Sequence, residues 1–101
     1  ALFLAFAERR VEALQPGCTQ GAAFDPAALP DFAYVTFFVG ALAAVARGDL
    51  AAQRHRFAAA QRCVRHLKAR SPLLSTAASL IEPEIDRRLT ALEEHDRCQT
   101  A

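Results

Sequence analysis

Fifteen consecutive residues without a charge, Phe32 to Ala46, constrain this chain more than anything else in it; Asp31 and Arg47 close the stretch at either end. Only Tyr34 and Thr36 carry a polar side-chain atom within it. Phe32, Val35, Phe37, Phe38, Val39, Leu42 and Val45 point in every direction around a helix. A helix that is apolar all round is buried on all sides or lies in a membrane. A bilayer span needs about 20 apolar residues, so the stretch is expected to be the central helix of a soluble domain, with the other segments packed around it.

The chain has 101 residues, enough for one domain with one core. Its hydrophobic fraction is 52%, and much of that is alanine, the strongest helix former. Alternating Val/Ile/Thr/Tyr runs, the mark of strands, are absent. The fold class expected is therefore all-α: an antiparallel bundle of about four helices built from hairpins like those of tetratricopeptide (TPR) proteins. With no Met, and an apolar start ALFLAF that would make an odd exposed end, the chain is expected to be a processed product or, preferably, a piece of a larger protein. No basic region precedes that start and Glu8, Arg9 and Arg10 follow at once, which disfavours a signal peptide.

A net charge of +1 gives no general pull towards nucleic acid or anionic membrane. The distribution is uneven. Arg47 to Arg70 holds seven Lys/Arg and one acid, whereas Glu82 to Asp96 holds six acids and two Arg. Two oppositely charged helices packed side by side would account for this. Three cysteines, Cys18, Cys63 and Cys98, are odd in number and widely spaced. That is no disulfide framework and fits a reducing, cytoplasmic compartment.

In chain order, residues 1–15 form a first helix with Leu2, Phe3, Phe6, Val11 and Leu14 as its stripe, stopped by Pro16-Gly17. Residues 18–30 form a loop anchored by Phe24, with Asp25 capping a single turn that starts at Pro26. A second helix, 31–47, is capped by Asp31. Gly48 closes it and Asp49 caps a third, 50–70, so the two make an antiparallel hairpin. Leu50, Phe57, Ala60, Val64 and Leu67 share one face of that third helix; Arg54, Arg62, Arg65, His55 and His66 cover the other. A fourth helix, 73–96, carries Leu73, Leu74, Leu80, Ile81, Ile85, Leu89 and Leu92; Pro83 is expected to kink or break it, and residues 97–101 to fray. The core expected from these patterns is Phe37, Phe38, Gly40, Leu42, Phe57, Val64 and Leu67, with Gly40 marking a close helix approach.

Chemistry-bearing patterns are sparse. Cys63 and His66, three apart, make half a metal site, but no second half has recognisable spacing. Arg88 and His95 share the spacing of the Arg…His pair of HEPN ribonucleases, with nothing else to organise a phosphate. Glu82 and Glu84 flank Pro83 as helix-start charges would. No nucleophilic triad, phosphate loop or catalytic carboxylate pair stands out, so no catalysis, cofactor or metal is expected.

The run Val35-Thr36-Phe37-Phe38-Val39-Gly40-Ala41-Leu42 resembles the V-L-F-N-I-G-A-L stretch of Bro1 domains, helical scaffolds of endosomal sorting. Leu50, Phe57, Ala59-Ala60 and Val64-Arg65-His66-Leu67-Lys68 match that family's next helix in register. Leu74-Ser75 and Ser79-Leu80-Ile81 resemble its L-S-x-L-x-S-L-M segment, and Phe24-Asp25 sits where the family has F-x-W-x-D. The resemblance spans about 24–81, the middle of such a domain or a divergent short version. It implies a scaffold binding an amphipathic helix of an ESCRT-III subunit. The family's aromatic binding position falls near Thr90 or Ala91, so its binding residues do not carry over. Arg47-Gly48-Asp49-Leu50, Ala60-Gln61, Leu67 and Arg87-Arg88-Leu89 also resemble the hairpin of flagellin-type export chaperones. The functions expected are thus a partner-helix scaffold, an export chaperone, or a self-associating structural module. On the first two, Arg54, Arg62 and Arg65 are the residues expected to meet acidic groups on a protein partner.

Overall fold

The computed structural model describes residues 2–14 and 25–100. Four α-helices follow one another: α1 (Leu2–Leu14), α2 (Ala33–Arg47), α3 (Leu50–Arg70) and α4 (Pro72–Thr100), with a 3-10 turn at Pro26–Ala28. The protein is an all-α helical bundle, with no strand among the described residues. Pro16-Gly17, Cys18 and the Phe24 anchor lie outside the described residues.

Local signals in the sequence set most boundaries. The Asp25 side chain accepts a hydrogen bond from the Ala27 amide (3.0 Å) and opens the 3-10 turn, with Pro26 at its first position. Gly48 adopts φ 72°, a left-handed conformation that releases the chain from α2. Asp49 then accepts from the Ala52 amide at 3.0 Å and starts α3. Asp31 does not cap α2. The cap position belongs to Phe32, without a side-chain bond, and the Asp31 carboxylate instead takes a hydrogen bond from Arg70 at the far end of α3.

The central helix is α3, not α2. It packs against both α2 and α4, while α1 packs on α2. Eight α3 residues are buried, among them Phe57, Ala60, Val64 and Leu67, whereas Leu50 lies at the surface. Phe37, Phe57, Ile85, Val11 and Val64 are the largest fully buried side chains among the described residues. The Phe38 ring meets Phe57 edge-on at 6.2 Å between centroids. Leu42 is no core residue: it is 36% exposed. On α4, Leu73 (86%) and Leu80 (80%) point outward, and Ala78, Ile85 and Leu92 supply the buried face.

Part of the charge asymmetry is paired between α3 and α4. Arg54 donates two hydrogen bonds to Asp96, and Lys68 donates one to Glu82 at 2.6 Å. These pairs run fourteen residues forward on α3 and fourteen back on α4, the register of antiparallel neighbours. Gln61 adds a bond to Asp86 at 2.7 Å between them.

Pro83 does not break α4, which runs unbroken to Thr100 without the expected fraying from 97. A proline inside a helix costs about 3 kcal/mol, but here it sits on the exposed face. The buried Ala78 and Ile85 hold the helix on either side. Glu82 and Glu84 are accordingly mid-helix residues, not helix-start charges.

Candidate functional site

Two contacts fix α1 on α2. The first is steric: a Cβ at Gly40 would overlap Cγ2 of Val11, so the glycine lets the two backbones close on each other. The second is electrostatic. Arg56, buried on α3, donates to Glu8 of α1 from both terminal nitrogens (2.7 and 2.5 Å) and to the Gly40 carbonyl (3.0 Å). Arg47 reaches the same carboxylate at 3.2 Å. One side chain therefore ties three helices together at the glycine. Hydrogen bonds from Arg56 hold the Glu8 carboxyl below its ordinary range, with burial opposing them. Nothing in the periodicity marked Arg56, because a basic residue on a basic helix reads as solvated. Its spacing of three and seven from Gln53 and Cys63 is the signal that it belongs to the buried face.

Beside this junction one face of α2 is only partly covered among the described residues. Val35, Val39, Leu42 and Ala46 follow at i, i+4, i+7 and i+11 along one face. Val35 is 42% exposed, and Val39 is half-buried. Phe6, 58% exposed on α1, forms the opposite wall. Phe6, Ala7, Arg10, Val35, Thr36 and Val39 line an open groove of about 240 Å³, and Arg10 is the only charged residue among them. A similar hollow, about 230 Å³, lies past the start of α2, between Phe32, Tyr34, Leu74 and Ala77.

The basic face of α3 divides. Arg54 is spent on Asp96, and Arg62 is engaged as well. Arg65 is exposed and has no ion pair among the described residues. The three do not form a free basic patch. Arg88 donates to Glu84 (2.8 Å), which also accepts from Arg87; these two arginines hold its carboxyl down at about 2. His95 is exposed on the same helix.

Cys63 is buried, and desolvation pushes its thiol up to about 11. His66 is not a plain surface histidine. Its Nε2 is buried without a hydrogen-bond partner among the described residues, in a small hollow shared with Cys63, Leu29 and Asp31. No group of three or more His, Cys, Asp or Glu is placed to hold a metal ion among the described residues. No helix among them is long and apolar enough to cross a membrane. The thiolate is the reactive form, so a disulfide reagent at neutral pH should modify exposed Cys98 promptly and Cys63 only after unfolding. Peptide mapping after timed quenching reads both sites; prompt labelling of Cys63 in the folded protein would contradict its burial.

No protein-family model matches the chain, and no curated protein or solved structure does either.

Proposed function

We propose that this protein is a non-enzymatic helical scaffold that binds an amphipathic helix or peptide of a partner protein in the groove between α1 and α2. One observation carries the reading: the fifteen-residue charge-free stretch that should be covered all round is only partly covered, among the described residues, along Val35, Val39 and Leu42. Fully burying one such side chain is worth about 1.5–3 kcal/mol. Val35, Val39 and Leu42, with Phe6, still keep part of their apolar surface in water, so a seated helix gains a fraction of that figure at each of them. A helix seats its i, i+4, i+7 residues in such a groove. The Bro1-domain resemblance over 24–81 supports an endosomal-sorting type of assembly. A cytoplasmic setting belongs to the same proposal, supported by the free thiols of Cys63 and Cys98.

The test is a titration of isotope-labelled protein with a synthetic helical peptide carrying Leu at i, i+4, i+7 and i+11 and Gln elsewhere. The methyl signals of Val35, Val39 and Leu42 are expected to shift in a saturable way. Shifts confined to the α3 face around Arg62 and Arg65 would move the site there; no shifts at all would end the reading. The export-chaperone alternative draws support from Leu73 and Leu80, a second bare apolar patch on α4. An unfolded client would shift both patches together.

A further inference from the structure

We propose that the groove selects a helix whose flank carries carboxylates, and that Arg10 is the residue that reads them; this rests on the groove assignment above. Arg10 stands one turn beyond Phe6 on the groove side of α1. It is exposed and has no ion pair among the described residues, and neither does its exposed neighbour Arg9. The carboxylates nearby are committed elsewhere or face away. Glu8 is held by Arg56 and Arg47. Glu12, two residues on from Arg10, is turned about 200° round the helix at roughly 100° per residue. The other wall, α2, has no charge before Arg47. The groove is therefore an apolar floor with a one-sided positive rim.

A helix settling on Val35, Val39 and Leu42 brings its flanking residues to that rim and removes water from it. Arg10 then needs an acceptor. A guanidinium offers a planar pair of donors that matches a carboxylate, and the attraction grows as water leaves. A basic flank would set like charges against each other, and a neutral one would leave the guanidinium less well solvated than before. The partly covered stripe from Val35 to Ala46 is three turns long, about 16 Å at 1.5 Å per residue, so the complementary segment is a helix of at least that length. A second copy of this chain is a poorer occupant. Its two most exposed leucines, Leu73 and Leu80 on α4, have their nearest carboxylates, Glu84 one turn beyond Leu80 and Glu82, already taken by Arg87, Arg88 and Lys68.

Three synthetic peptides of the same Leu stripe, with flanks of Glu, Gln or Lys, test this by fluorescence anisotropy on the wild-type protein, Arg10→Glu and Val35→Asn. Circular dichroism checks that each variant is folded; both positions are exposed. On the wild type the Glu peptide should bind about two- to fivefold tighter than the Gln peptide at low salt, as an exposed charge pair allows, with the Lys peptide weakest. The differences should shrink as salt rises. Arg10→Glu should reverse the order, while Val35→Asn, which changes no charge, should weaken all three about tenfold through lost apolar contact. If the three peptides bind equally to wild type and Arg10→Glu while Val35→Asn still weakens them, the acidic-flank inference is wrong and the groove stands. If none binds the wild type, both are wrong. Sedimentation as a dimer that Val35→Asn converts to a monomer would make a second copy the occupant and overturn the inference.

Discussion

Replacing Arg56 with alanine is expected to cost about 2–4 kcal/mol of folding stability, seen as a lower urea midpoint at an unchanged slope. Removing one partner of a buried ion pair costs about 3–5 kcal/mol, because the other charge is stranded in a poor solvent. The cost is lower at this junction because Glu8 keeps some access to water, and Arg47 remains beside it. The Gly40 carbonyl also loses a donor. Arg56→Lys should recover only part of the loss, since an ammonium cannot serve both carboxylate oxygens and the carbonyl from one plane.

The same pair carries a pH signature. The folded pKa of Glu8 lies below its ordinary value of 4.5, with the Arg56 hydrogen bonds as the largest cause. The unfolded chain therefore binds the proton more readily. The stabilisation is fully present above about pH 4.5 and is lost as pH falls through the folded value. Wild type and Arg56→Ala should thus converge in stability in acid. Glu84, held at about 2, also titrates in acid, but it does so in both proteins and drops out of the difference. Parallel stability curves down to pH 2 would mean that the pair does not stabilise the junction.

Gly40→Ala is the second large effect. A helical alanine is worth about 1 kcal/mol over glycine, so an open site would be stabilised. Here the new methyl meets Cγ2 of Val11, a branched side chain that cannot swing aside within its rotamer. Overpacking of this kind costs about 1–3 kcal/mol, so the net expectation is destabilisation of about 1–2 kcal/mol. Val11→Ala alone should also destabilise, by emptying a fully buried position. Combining it with Gly40→Ala should recover part of the loss, a coupling measurable in a double-mutant cycle. A stabilised Gly40→Ala protein would mean that α1 does not lie against α2 at this point.

The helices themselves were legible because their determinants are local. Asp25-Pro26, Gly48 and Asp49 act on their own few residues, through a side-chain cap or a left-handed φ, and they do so whatever packs around them. The complementary charge of residues 47–70 and 82–96 also announced its partner, since opposite runs on long helices find each other. Where the expectation concerned a face, it was less secure. Periodicity put Leu42, Leu73 and Leu80 with the apolar set, but an apolar residue is buried only if a neighbour reaches it, and the sequence does not say how many neighbours there are. Arg54 and Arg62 looked available for a partner because their own helix offers no acid; the acid for Arg54 arrives from α4, forty-two residues later.

By itself, then, the sequence determined an all-α chain, the α2–α3 hairpin with its glycine and aspartate, and a close approach at Gly40. These follow from backbone conformation, side-chain size and capping, which are short-range. Only the tertiary structure decided that α3 rather than α2 lies at the centre, that Arg56 is the buried tie at the glycine, and that one face of α2 is only partly covered among the described residues. Those outcomes depend on which helix lies against which. That is set by the summed burial and pairing of residues far apart in the chain, and no window of sequence contains the sum.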